Sequence, residues 1–165
     1  MKVEDVMTTN ARTCQPGANL AEATEIMWNA DCGILPVVAR SGVLVGVITD
    51  RDICVAVGTR GRLASDLLVK EVMTGNLFTC TPGDHIRDAL DTMRAKKVRR
   101  LVVADHEGKV AGILSIDDVA VVAEAPSGNG HSELTFNDVA ITLKAICARP
   151  LTETPVGAAF AAAAE

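Results

Sequence analysis

Gly46-Val47-Ile48-Thr49-Asp50-Arg51-Asp52-Ile53 and Gly112-Ile113-Leu114-Ser115-Ile116-Asp117-Asp118-Val119 stand 66 residues apart and share one pattern. A glycine and two apolar residues lead to a hydroxyl residue, with an aspartate three places beyond it. Apolar β-formers running into Ser/Thr-x-x-Asp read as a strand that passes directly into a capped helix. The same offset holds outward from this stretch: Val3–Ile53 aligns to Val69–Val119 without a gap, and sixteen of those 51 positions are identical. Val6-Met7-Thr8 matches Val72-Met73-Thr74, Thr13-Cys14 matches Thr79-Cys80, Pro16-Gly17 matches Pro82-Gly83, and Gly42 matches Gly108. Register kept through loops and elements alike marks a tandem duplication.

Each copy reads as β-α-β-β-α. Thr13-Cys14 and Phe78-Thr79-Cys80 are short extended pieces stopped by Pro-Gly, a turn signal. Apolar residues at helical spacing follow, Leu20, Ala23 and Met27 in one copy and Ile86, Ala89, Leu90 and Met93 in the other, with Asp84 as the expected cap of the second. Two strands joined by a glycine-bearing turn come next: Ile34 to Val38 with Val43 to Ile48, and Leu101 to Ala104 with Lys109 to Leu114. A final helix opens after Thr49 and after Ser115, and Gly58 to Leu68 links the copies. One copy of about 55 residues has a marginal core, so the two are expected to pack sheet to sheet about a pseudo-twofold axis. The expected division is residues 1–62, residues 63–124, and a remainder of 125–165 holding a loop at Ala125–Gly130, an accessory helix within Leu134–Cys147 and a poorly ordered tail beyond Pro150.

Composition narrows the function classes. Apolar residues make up 48% and charged residues 22% of the 165, which argues for packed domains rather than disorder. A net charge of −5 speaks against nucleic acid and anionic membranes as partners, since both attract basic proteins. Four aromatic residues, Trp28, Phe78, Phe136 and Phe160, leave few platforms for stacking bases. No run approaches the roughly 18 apolar residues of a membrane span, and the start lacks a secretory pattern. Cys14, Cys32, Cys54, Cys80 and Cys147 include no C-x-x-C pair, so they are expected to be reduced thiols in a cytoplasmic protein.

The repeated phrases Val3-Glu4-Asp5-Val6-Met7-Thr8, Val69-Lys70-Glu71-Val72-Met73-Thr74, Leu35-Pro36-Val37-Val38, Val45–Ile53 and Gly112–Val119 resemble a tandem pair of CBS domains, the Bateman module, over residues 1 to about 123. Lys144-Ala145-Ile146-Cys147 is also similar to the end of small stand-alone bacterial CBS-pair proteins of the hypoxic-response type. The resemblance implies an α/β fold, regulatory binding of AMP, ADP, ATP, NAD or S-adenosylmethionine between the repeats, and a homodimer that signals to a separate effector protein; no metal is expected, since no set of ligands at zinc-site spacing is visible. The family's motif implies Thr49 and Asp52 in a first site and Ser115 and Asp118 in a second; by their chemistry Thr13, Ile34, Leu35, Pro36 and Arg51 are expected to complete the first, and Thr79, Arg99, Arg100, Leu101 and Val102 the second. Chemically, a carboxylate accepts bidentately from ribose hydroxyls, and a hydroxyl at a helix start sits where phosphate is welcome. The same Thr/Ser-x-x-Asp is also a capping box that stabilises a helix with no ligand present.

The copies differ at the motif. Arg51 corresponds to Asp117, Gly33-Ile34 to Arg99-Arg100, and Pro36 to Val102. Arg51 favours a phosphate where Asp117 repels one, and Arg99 and Arg100, with Lys96 and Lys97 nearby, can compensate for Asp117 from the strand side; two unequal sites are expected, the first copy's motif holding the more phosphorylated ligand. Rival functions are a structural dimerisation module with empty clefts and a metal or redox sensor built on Cys14 and Cys80. Catalysis is not expected: His85, His106 and His131 accompany no nucleophile elbow or Walker loop.

Overall fold

The computed structural model describes residues 1–125 and 133–148. The expected loop at Pro126–Gly130, His131 and the tail beyond Pro150 lie outside the described residues. The first repeat comprises α1 (Leu20–Asn29), β1 (Ile34–Val38), β2 (Leu44–Thr49) and α2 (Asp50–Arg60). The second comprises β3 (Thr79–Cys80), α3 (Ile86–Lys96), β4 (Arg100–Ala104), β5 (Val110–Ser115) and α4 (Ile116–Val122), and α5 (Phe136–Cys147) follows.

Local chemistry accounts for most of these elements. α1 buries Leu20, Ala23 and Met27 along one face. It starts where Asn19 Oδ1 accepts from Glu22 N at 2.9 Å while Glu22 Oε2 accepts from Asn19 N at 3.3 Å, a reciprocal cap. α3 buries Ile86, Ala89, Leu90 and Met93, but its cap is His85, whose Nδ1 accepts from Arg87 N at 3.3 Å. Asp84 is not the cap: its carboxylate accepts both the N–H and the hydroxyl of Thr81 at 2.7 Å, in the turn before the helix. α2 also runs past the expected boundary at Gly58 to Arg60, and ends where Gly61 takes the left-handed conformation at φ 60°.

The sheets are small. β1 and β2 pair antiparallel from Ile34↔Thr49 to Val38↔Leu44, and β4 and β5 from Arg100↔Ser115 to Ala104↔Val110, each with one bulge at the same repeat position. β3 joins β4 in parallel, Thr79 opposite Val102. Its counterpart in the first copy shrinks to one bridge, Cys14↔Val37, so the sheets have two and three strands.

The repeats are joined by exchange, and each keeps its own apolar core. Val3, fully buried, belongs to the core of the second repeat, while Val69, also fully buried, belongs to the core of the first. Thr8 pairs with Ile113 and, 66 residues on, Thr74 pairs with Val47; Lys2 pairs with His85 and Leu68 with Asn19. Each N-terminal arm therefore lies on the other repeat's sheet. Val43↔Lys109, equivalent positions in the two hairpins, bridge each other and mark the pseudo-twofold axis.

α5 packs against α3 and α4. Its cap is a third box, Thr135 with Asp138, and it buries Val139 and Thr142. Thr142 Oγ1 accepts from Arg94 Nη1 at 2.9 Å, and Arg87 Nη2 lies 3.6 Å from Asp138 Oδ2. Phe136, Ile141 and Leu143 on this helix are exposed.

Candidate functional site: two clefts between the repeats

Thr49 and Ser115 sit at the junctions β2–α2 and β5–α4. Thr49 Oγ1 donates to Asp52 Oδ2 at 2.7 Å, Thr49 N donates to the same oxygen at 2.9 Å, and Asp52 N returns a bond to Thr49 Oγ1 at 3.2 Å. Ser115 and Asp118 repeat this at 2.6, 2.8 and 3.1 Å. Thr135 and Asp138 repeat it again at 2.8, 2.9 and 3.3 Å, at a helix that carries no such motif. The box geometry is thus a helix-capping device in all three places. What sets the first two apart is that each stands at a cleft, since Oδ2 takes both local bonds in all three boxes.

The first cleft, of about 770 Å³, brings Thr49, Arg51 and Ile34 of the first repeat together with Lys97, Arg99, Arg100 and Val102 of the second. The second, of about 410 Å³, brings Ser115, Asp117 and Asp118 together with Arg12, Asp31 and Ile34 of the first repeat, and Arg100 also reaches it. Positions 66 apart correspond across the two, Thr49 with Ser115, Arg51 with Asp117, and Asp31 with Lys97, so the clefts are related by the pseudo-twofold axis. Each is built from both copies, whereas the residues expected for a site were grouped within one copy. Asp52 stands behind Thr49 in the box. Leu35 and Leu101, 0% and 1% exposed, point into the cores, and Pro36, Thr13 and Thr79 line neither cleft.

The glycine of the motif has a structural cause. A Cβ on Gly112 would lie 2.6 Å from the carbonyl oxygen of Thr8, and one on Gly46 would lie 2.9 Å from Met73 Sδ and 3.1 Å from the Thr74 carbonyl oxygen. The exchanged arms cross the strands at these points, and only a residue without a side chain lets them close.

Charge differs sharply between the clefts. Among the described residues no acidic side chain lines the first, against Arg51, Lys97, Arg99 and Arg100. α5 closes one side: Lys97 Nζ donates to the Ala148 carbonyl at 2.9 Å, and Arg99 Nη2 lies 3.9 Å from Cys147 Sγ. In the second cleft Asp31, Asp117 and Asp118 face Arg12 and Arg100, and Arg100 Nη2 lies 3.9 Å from Asp117 Oδ2. Among the described residues no group of three or more His, Cys, Asp or Glu side chains is placed to hold a metal ion. Burial pushes the Cys14 thiol up to about 11, and burial together with the Asp84 charge pushes Cys80 up to about 12, so both stay protonated near neutrality.

The CBS domain family model matches residues 3–58 and again 69–124. The chain belongs to the CBS domain family. As a CBS pair it is 36% identical to the CBS domain-containing protein YhcV of Bacillus subtilis strain 168, over 83% of this chain and 97% of that one. The CBS domain pair of protein MJ0100, solved in complex with 5′-methylthioadenosine and S-adenosyl-L-methionine, superposes with a TM-score of 0.68 at 24% identity, over 74% of this chain and 94% of that one. Hypoxic Response Protein I, solved with two coordinated zinc ions, superposes with a TM-score of 0.68 at 23% identity, over 75% of this chain and 100% of that one.

Cleft residues absent from the sequence-derived sets are chiefly Thr8, Asn10 and Arg12 in the second cleft and Thr74, Asn76 and Cys147 in the first. Thr8/Thr74 and Asn10/Asn76 were findable: each pair is identical at the 66-residue offset, and exposed polar identities owe nothing to a core. Cys147 carries no such signal, because the repeat ends before α5.

Proposed function

We propose that this CBS pair is a non-catalytic cytoplasmic module that binds adenosine-containing ligands in its two inter-repeat clefts and, as a homodimer, signals to a separate effector protein. One observation carries the reading: two clefts related by the pseudo-twofold axis, lined at equivalent positions by the box hydroxyls of Thr49 and Ser115, with the Asp118 carboxylate also lining the second. Ile34 and Val102 offer apolar surface for adenine in the first cleft, and the start of α2 with Arg51 suits a phosphate. The MJ0100 pair, of the same fold, holds two adenosyl ligands. His85 and His106 serve as a helix cap and a hairpin-turn residue, away from either cleft. Trp28, 85% exposed on α1, suits a contact between copies.

Binding alters a partner only if the ligand favours one arrangement of the repeats over another. The test is a thermal-shift screen of AMP, ADP, ATP, NAD, S-adenosylmethionine and adenosine on the native chain and on Asp52→Ala and Asp118→Ala. A ligand at 100 times its Kd raises Tm by about 5–10 °C. A shift lost in one variant supports the reading and assigns the cleft. No shift with any ligand leaves the boxes as helix caps alone.

A further inference from the structure

Arg51 and Asp117 occupy the same repeat position, one in each cleft, and carry opposite charge. The contrast extends around them. Among the described residues the first cleft is walled by four cationic side chains and no acid, and it has nearly twice the volume of the second. In the second, Asp31 stands where the first has Lys97, and Asp117 lies close enough to Arg100 to offset the one cation that both clefts share. A tri- or diphosphate tail brings three or four negative charges. Such charge is stabilised by guanidinium groups and turned away by carboxylates, the more so at low salt.

We propose that the Arg51/Asp117 pair sorts ligands by charge: the first cleft takes an adenosyl ligand bearing a polyphosphate, and the second rejects it while admitting an adenosyl ligand with an uncharged or cationic 5′ substituent. The proposal rests on the adenosyl reading above and adds the residue that discriminates. Both side chains are exposed and off the apolar cores, Asp117 with 80% of its side chain accessible, so exchanging their charges leaves the fold intact.

The experiment is isothermal titration of the full chain with ATP, adenosine and S-adenosylmethionine, at two salt concentrations. The native chain should bind one ATP, with affinity falling steeply with salt, and two adenosines with little salt dependence. Arg51→Asp should weaken ATP by about tenfold or more and leave adenosine within about twofold. Arg51→Gln, which removes the charge without adding an acid, should fall between. Asp117→Arg should raise the ATP stoichiometry to two and weaken S-adenosylmethionine. Two equivalent ATP sites in the native chain, or an ATP stoichiometry of one in Asp117→Arg, overturns the sorting and leaves the adenosyl reading standing. Failure of all three ligands to bind brings down the adenosyl reading and the sorting with it.

Discussion

Gly112 shows how much one missing side chain decides. In the sequence it opens a ligand motif; in the structure it is where the Thr8 carbonyl crosses β5. The obstacle to a methyl group there is main chain, whereas at Gly46 the nearest atom is the flexible Met73 sulfur. Gly112→Ala should therefore cost about 2–3 kcal/mol in urea unfolding and Gly46→Ala about 1 kcal/mol. Equal costs would mean that the arms do not set the requirement. The cysteines separate in the same way. Cys54 and Cys147 are exposed and should be alkylated first at pH 8, while Cys14 and Cys80 wait for unfolding; intact-mass spectrometry counts them. Because burial raises both folded-state pKa values, the stability these thiols allow is complete below about pH 9 and lost as pH rises toward 11–12. The motif residues Thr49, Asp52, Ser115 and Asp118 were legible because their spacing is local, but not which cleft wall each would face, because the opposing wall comes from the other copy.

At the scale of elements, α1 and α3 were legible from apolar spacing alone, and β3 became a strand where its twin at Cys14 became one bridge. α5 was legible as a helix but not as a cleft wall, since its partners Arg87, Arg94, Lys97 and Arg99 lie some 50 residues earlier and no local pattern announces them. Its attachment has a pH signature. The Thr135 hydroxyl, then its backbone N–H, with Arg87 and Arg94 adding to them, hold the Asp138 carboxyl below the usual carboxylate range. A depressed carboxylate contributes stability that is present above its unfolded pKa and lost as pH falls through the folded one. Hydrogen exchange across residues 136–147 should accelerate in acid, below about pH 4, before exchange in α1 does. Asp138→Ala should produce the same acceleration at pH 7 at a cost of about 1 kcal/mol. Unchanged exchange in that variant would mean that packing alone holds α5.

For the whole molecule, the arms make each repeat depend on the other. Val3→Ala should cost about 2 kcal/mol although it lies outside the body of the repeat whose core it fills, and Val69→Ala should cost a similar amount in the mirror sense. A single unfolding transition is expected in both, monitored by circular dichroism. Two separate transitions would show that the repeats are energetically independent. The pseudo-twofold was legible from the 66-residue offset, but the exchange was not, since an arm packed on its own repeat or on its neighbour leaves the same sequence pattern. The exchange also fixes an order of events during synthesis. Val3–Thr8 leaves the ribosome well before its seat, which includes the Asp84 carbonyl and Ile113. The first repeat meets its own missing arm, Val69–Thr74, much sooner. The nascent chain therefore closes its first repeat with Val69–Thr74, and Val3–Thr8 docks only when the second repeat has emerged.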